Sequence, residues 1–190
     1  MRIITGSARG CRLKTPKGQT TRPTSDRIKE SLFNILGQKV VGRHVLDLFA
    51  GTGNLGLEAL SRGAAAACFA DQATAALIKE NAAHAHLLDK AEVHGGDVFA
   101  ELAHLSHGNR SFDLIFCDPP YHKGLFQRVL AFLEESQVLA HDGILVVEHG
   151  ADENDMPELS KLCCVLNRRY GHTTQLSFFQ WKAYLEEDDL

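Results

Sequence analysis

Long apolar runs are missing from this chain. No stretch approaches the roughly 18 residues of a bilayer-spanning helix, so contact with a membrane is not expected. The first residues, Met1-Arg2-Ile3-Ile4-Thr5, lack the apolar segment of a signal peptide. The five cysteines (11, 68, 117, 163 and 164) form no Cys-x-x-Cys pair, and the ten histidines form no His-Glu-x-x-His pattern. The linear signatures of zinc are thus absent, and an odd cysteine count suits reduced thiols. A cytoplasmic protein without a metal centre is expected. Internal repeats are also lacking. Acids are scarce in one region: residues 1–43 hold ten Lys/Arg against Asp26 and Glu30, a net +8, while the remainder carries −12. A basic arm on an acidic body suits a phosphate backbone. Proline is scarce too, yet two of the five prolines stand side by side.

What is present reads as one α/β domain. With 190 residues, 44% hydrophobic, the chain can bury a sizeable core. Short extended stretches at 2–5 and 11–15 flank Gly6-Ser7-Ala8-Arg9-Gly10, a β-hairpin signal, and a polar linker follows to Pro23. A helix is predicted from Ser25 to Leu36, capped by Thr24 or Ser25 and ended by Gly37. From residue 44 the pattern alternates. Strands are predicted at 44–49, 66–70, 91–94, 112–117 and 143–148, with helices at 54–62, 73–88, 98–105 and 125–135. Such alternation implies a parallel sheet with helices on both faces. Two runs flanking Gly171-His172, at 162–170 and 173–182, predict a closing antiparallel hairpin. The acidic residues 186–190 are expected to form a disordered tail. The expected division is therefore 1–20, 21–185 and 186–190.

The first strand runs into Asp47-Leu48-Phe49-Ala50-Gly51-Thr52-Gly53-Asn54-Leu55-Gly56. Gly51 and Gly53 permit a tight turn that a ligand can approach closely, and the helix behind it offers unpaired N–H groups. Gly51-x-Gly53-x-x-Gly56 also matches a dinucleotide fingerprint, which leaves an NAD(P) oxidoreductase as a rival reading. Asp47 argues for a cationic ligand instead, since a carboxylate beside the turn disfavours a pyrophosphate. S-adenosylmethionine carries an α-amino group and a sulfonium. Asp47 could equally serve only to bond the glycine loop. Asp71, with Gln72 beside it, ends the second strand, where an acid accepts ribose hydroxyls. After the third strand, Asp97 is placed to accept an adenine amino group or to cap the next helix, and Val98 to pack on the ring.

The paired prolines lie in Asp118-Pro119-Pro120-Tyr121, directly after the apolar run 112–117. Neither proline donates a backbone hydrogen bond, so the strand stops and carbonyls are left exposed. A carboxylate, carbonyls and an aromatic face side by side suit a flat group bearing an amino nitrogen. Asp47-x-Phe49-x-Gly51-x-Gly53 followed by this tetrapeptide resembles S-adenosylmethionine-dependent methyltransferases of exocyclic amino groups. These two motifs alone fit adenine, cytosine, guanine or glutamine amide targets.

Further segments narrow the resemblance to the RsmD family, the bacterial 16S ribosomal RNA (guanine-N2)-methyltransferases. They include Arg2-Ile3-Ile4-x-Gly6, Leu13-Lys14-x-Pro16, Thr21-Arg22-Pro23-Thr24-x-Asp26-Arg27-x-Lys29-Glu30-x-Leu32-Phe33-Asn34, Glu58-Ala59-Leu60-Ser61-Arg62-Gly63-Ala64 and Arg169-Tyr170-Gly171. The resemblance departs at Ala70-Asp71-Gln72, where the family more often shows a Glu and a second acid. It implies a Rossmann-like class I methyltransferase fold: a seven-strand, mostly parallel sheet with a C-terminal antiparallel hairpin and an N-terminal β-hairpin that contacts RNA. It implies a guanine in the small subunit as substrate, within an assembled or assembling particle, and a monomeric enzyme. The residues expected to act on the base are Asp118, Pro119, Pro120 and Tyr121. Those expected to hold the cofactor are Asp47, Phe49, Gly51, Gly53, Asn54, Leu55, Asp71, Gln72, Asp97, Val98 and Asp118. Arg2, Arg9, Arg12, Lys14, Arg22 and Arg27 are the expected RNA contacts, on an arm whose loss should spare cofactor binding.

Overall fold

The computed structural model describes residues 1–16 and 26–188. The expected linker, its cap residues Thr24 and Ser25, and Arg22 lie outside them. The described chain falls into two compact units, Met1–Val98 and Phe99–Leu190. Its strands form a seven-strand mixed sheet, mostly parallel with antiparallel C-terminal strands, so the expected α/β class is present. No described helix is long and apolar enough to cross a membrane. None of the five cysteines is in a disulfide.

In the first unit, α1 (Asp26–Leu36) buries Leu32, Phe33 and Leu36, and a 3-10 turn over Gly37–Val40 leads to β1 (His44–Leu48). Helix α2 (Asn54–Ser61), β2 (Ala66–Asp71), α3 (Ala75–His84) and β3 (Ala91–Gly95) follow. Strand β2 lies parallel to both β1 and β3, with β3 outermost. Strands β1 and β2 read as continuous apolar runs because both faces are covered: Val45, Leu46, Leu48, Phe69 and Ile78 are buried. Helix α3 is shorter than expected. His86 adopts a left-handed φ of 56°, which stops the helix, and a 3-10 turn over Leu88–Lys90 replaces its last turn.

Residues 1–16 pack on this unit instead of standing off it. The expected hairpin reduces to a single antiparallel bridge, Arg2↔Arg12, with Ile3 N–H donating to Cys11 O at 2.9 Å. Ile3 and Leu13 are buried. The Glu58 carboxylate accepts from Ile4 N at 2.7 Å and Thr5 N at 3.0 Å, and Ser61 Oγ accepts from Ala8 N at 2.9 Å. Asn81 Oδ1 accepts from Lys14 N at 2.8 Å. At Gly6 a Cβ would lie 1.7 Å from Ser61 O, so only glycine lets the segment approach α2. Beneath it, Lys29 Nζ reaches Glu58 Oε2 at 3.0 Å, Arg2 O at 2.6 Å and Asn54 Oδ1 at 2.7 Å. Lys29 and Glu58 are fully buried. Burial pushes the Lys29 ammonium below its usual value, and the Glu58 carboxylate works against that shift.

In the second unit, β4 (Phe112–Cys117) lies parallel to β5 (Leu139–Gly150), which pairs antiparallel with β7 (Thr174–Trp181). The edge strand β6 (Leu162–Tyr170) pairs antiparallel with β7. Helix α4 (Val98–His107) precedes β4, and α5 (Leu125–Glu134) connects β4 to β5. Strand β5 is longer than expected. It begins at Leu139 instead of Gly143, with a register shift against β4 between Phe112 and Leu114. The expected disordered tail is corrected too. Residues 186–188 belong to α6 (Lys182–Asp188), which is held by His141 Nε2 on Glu187 Oε2 at 3.0 Å and by the Tyr184 ring edge on to His141. Lys182 Nζ adds bonds to Leu159 O and Ser160 O at 2.9 Å.

Glu58→Ala leaves the buried Lys29 ammonium uncompensated. Urea denaturation should show a loss of about 3–5 kcal/mol. Removing residues 1–16 strands Glu58, Ser61, Lys29 and Asn81 in the same way. Contrary to expectation from sequence, cofactor affinity measured by calorimetry should fall with the truncation.

Candidate active site

In the first unit, the candidate site is the turn between β1 and α2. Phe49 takes a left-handed φ of 57°, a conformation that costs a bulky residue about 1–3 kcal/mol. Gly53, at φ 78°, precedes the first residue of α2. Asp47 is buried behind this turn, and its Oδ2 accepts from Gly56 N at 2.8 Å. Gly56 is required there, because a Cβ would lie 2.3 Å from the Phe69 ring. Asp47 thus fastens the start of α2 to β1. Burial pushes its carboxyl up to about 8; the Gly56 N–H opposes this and the Asp71 charge adds to it. Burial thus disfavours the charged form of this carboxyl.

Asp71, at the end of β2, holds the same turn from the other side. Its Oδ2 accepts from Gly51 N at 2.9 Å, and its Oδ1 accepts from Ala73 N and Thr74 N, each at 2.9 Å. A carboxylate offers about four acceptor positions, so room for a hydroxyl donor remains. At Gly51 a Cβ would meet nothing nearer than Phe49 O at 4.0 Å, so the outer side of the turn is open to a ligand. Asn54 and Leu55 are buried, Gln72 and Asp97 are exposed, and Val98 is buried. The turn also has supports that sequence motifs do not announce. Asn54 Oδ1 accepts from Lys29, while Asn81 Nδ2 donates to Thr52 O at 3.0 Å and Lys14 O at 3.1 Å. The basic N-terminal segment and the glycine turn share these side chains.

In the second unit, the candidate site is the end of β4. Asp118 is half-buried, Pro119 is buried and Pro120 is exposed. The Tyr121 hydroxyl donates to Glu148 Oε1 at 2.9 Å and lies 3.4 Å from Thr174 Oγ1. Burial raises the Tyr121 phenol well above its ordinary value, and the Glu148 carboxylate raises it further. The ring is held by its hydroxyl end, with the partners supplied by β5 and β7. Motif reading did not find Glu148 or Thr174; both lie far from the tetrapeptide in sequence and meet it only through strand pairing.

Of the expected RNA contacts, Arg2, Arg9, Arg12, Lys14 and Arg27 are exposed. Arg2 pairs with Asp26 at 3.0 Å and Lys14 pairs with Glu80. Exposed pairs of this kind contribute at most about 1 kcal/mol, so a phosphate can displace the acid.

A family model described as "Conserved hypothetical protein 95" matches residues 1–180. YlbH of Bacillus subtilis (strain 168) is 39% identical over 176 residues, covering 91% of this chain and 95% of its own. Ribosomal RNA small subunit methyltransferase D of Escherichia coli (strain K12) is 32% identical over 190 residues, covering 99% and 93%. The solved structure of yhhF from Escherichia coli superimposes with a TM-score of 0.84 at 33% identity, over 96% of this chain and 98% of that one.

Asp47 has a testable signature. Its folded value lies above the unfolded one, near 3.9, so its stabilising contribution is full below about pH 4. That contribution is lost as pH rises to about 8. Denaturation at a series of pH values should show this loss in the wild-type chain, and Asp47→Asn should flatten it.

Proposed function

The chain belongs to the family described as Conserved hypothetical protein 95, the RsmD family its motifs resemble. From that premise we propose that it transfers a methyl group from S-adenosylmethionine to the exocyclic N2 of a guanine in small-subunit ribosomal RNA. The observation that carries this reading is the pair of strand-end motifs: a glycine turn backed by two carboxyl groups after β1, and Asp118-Pro119-Pro120-Tyr121 after β4. The open face at Gly51 and the spare acceptor capacity of Asp71 fit the proposed cofactor.

In this reading Asp47, Phe49, Gly51, Gly53, Asn54 and Leu55 shape the pocket for the methionine part. Asp71 and Gln72 take the ribose hydroxyls, and Asp97 and Val98 take the adenine. When bound, the cofactor supplies a methyl group already activated on a sulfonium. The protein's task is then mainly alignment. The Asp118 carboxylate and the Pro119 carbonyl accept hydrogen bonds from the guanine amino group, helping its nitrogen to pyramidalise. These acceptors bind the nitrogen more strongly as it gains positive charge, which lowers the barrier. Tyr121, held by Glu148, stacks on the base, which must first leave any helix it belongs to.

Residues 1–20 serve as the RNA-contacting element, 21–185 as the methyltransferase body and 186–190 as an acidic end. Arg2, Arg9, Arg12, Lys14, Arg22 and Arg27 meet phosphates. The substrate is an assembled or assembling small-subunit particle in the cytoplasm, and the enzyme acts as a monomer.

Labelled S-adenosylmethionine should transfer its methyl group to small-subunit particles from cells lacking the gene, and mapping should place it on guanine N2. Label on adenine N6, or binding of NADH in place of S-adenosylmethionine, would overturn the reading. Asp118→Ala should lower kcat by about 10²–10³-fold with the cofactor Kd nearly unchanged. Asp71→Ala should raise that Kd first.

A further inference from the structure

We propose that Cys68, Glu92 and His94 form a binding site for a divalent zinc-class metal ion at the outer edge of the first unit's strands. One ligand atom from each residue, a thiol sulfur, a carboxylate oxygen and an imidazole nitrogen, lies within 4.8 Å of the other two. Register produces the cluster. Cys68 of β2 pairs with Glu92 of the edge strand β3, and Ala70 pairs with His94. Residues two apart on a strand share a face, so Glu92 and His94 flank the thiol from the same side.

The donor set selects the ion. Thiolate and imidazole suit zinc and similar transition metals, whereas magnesium and calcium take oxygen ligands. Tetrahedral zinc, with bonds of about 2.0–2.3 Å, separates its ligand atoms by about 3.3–3.6 Å. His94 Nε2 and Glu92 Oε1 stand 2.7 Å apart. They need to part only slightly, while Cys68 Sγ closes in. Three protein ligands leave a fourth position for water.

Access and proton balance are both satisfied. The Glu92 and His94 side chains are 47% and 28% exposed and form the outer side, while Cys68 is buried beneath them. Binding replaces protons with coordinate bonds and moves no electrons. The Cys68 thiol loses its proton to solvent, and the single hydrogen of the neutral His94 ring moves from Nε2 to Nδ1 through solvent, which frees the Nε2 lone pair for the metal. Strand β3 ends at Gly95, two residues before Asp97, so the ion would clamp the strand that leads to Asp97. Scanning for ligand spacing along the chain misses this site, because its donors are 24 and 26 residues from Cys68.

The test is a cobalt titration of the full chain under reducing conditions, read by thiolate-to-cobalt charge-transfer absorption. One equivalent should saturate the band and zinc should displace it. Cys68→Ser should abolish the band, and the double variant Cys163→Ser/Cys164→Ser should retain it. His94→Ala and Glu92→Gln should each weaken cobalt binding by at least the roughly 10–100-fold that loss of an outer-shell partner costs. Absence of a band, a band that survives Cys68→Ser, or one lost with Cys163 and Cys164 overturns the site. Should Cys68→Ser fail to fold by circular dichroism, the two exposed positions decide: unchanged cobalt affinity in both overturns the proposal.

Discussion

The buried pair of Lys29 and Glu58 is the constraint on which the first unit depends. Two charges withdrawn from water are costly, and their mutual attraction compensates only when their remaining hydrogen-bonding capacity is also met. Here it is met by backbone and side-chain groups from three places. Glu58 accepts from Ile4 N, Thr5 N and Arg62 Nε, while Lys29 donates to Arg2 O and Asn54 Oδ1. Arg62 in turn lies over the Phe33 ring at 4.7 Å. Helix α1, helix α2 and the N-terminal segment are therefore held in one arrangement, because no partner can leave without stranding a buried charge.

The same network reaches the chemistry. Asn54 is the first residue of α2, and Asn81 joins the Thr52 carbonyl of the glycine turn to the Lys14 backbone. The segment that carries the exposed Arg2, Arg9, Arg12 and Lys14 thus shares supports with the turn that holds two carboxyl groups. A load placed on the basic segment by a polyanion acts on side chains that also define the turn. In the second unit, Tyr121 depends on Glu148 of β5 and Thr174 of β7, so its ring orientation follows from strand pairing. Each unit by itself puts a strained or proline-stopped strand end before a buried acid, Asp47 in the first and Glu148 in the second.

Much of this was legible in the sequence where the signal is local. Strand–helix alternation gave the elements from residue 44 onward, because period and turn residues act over a few positions. Asp47, Gly51, Gly53, Asp71 and the tetrapeptide were visible for the same reason. The misreadings fall where distant contacts override local preference. Strand β5 was expected to begin at Gly143, but the pairing of Leu139 with Phe112 of β4 carries it back to Leu139. The acidic residues 186–188 looked disordered, but His141 and the Lys182 contacts keep them helical. Residues 1–16 looked like a separable arm because their partners, Glu58, Ser61 and Asn81, come more than 50 positions later.

By itself the sequence determined the fold class, the two strand-end motifs and the concentration of basic charge near the N-terminus. These depend on hydrophobic period, on prolines that cannot donate and on charge counts, none of which needs a distant partner. Only the tertiary structure decided that Asp47 is a buried anchor, that Lys29 joins the basic segment to the glycine turn and that Glu148 holds Tyr121. It also decided that Cys68 meets Glu92 and His94. Each of these depends on desolvation or on register between strands, which arise only when residues far apart in the chain are brought together.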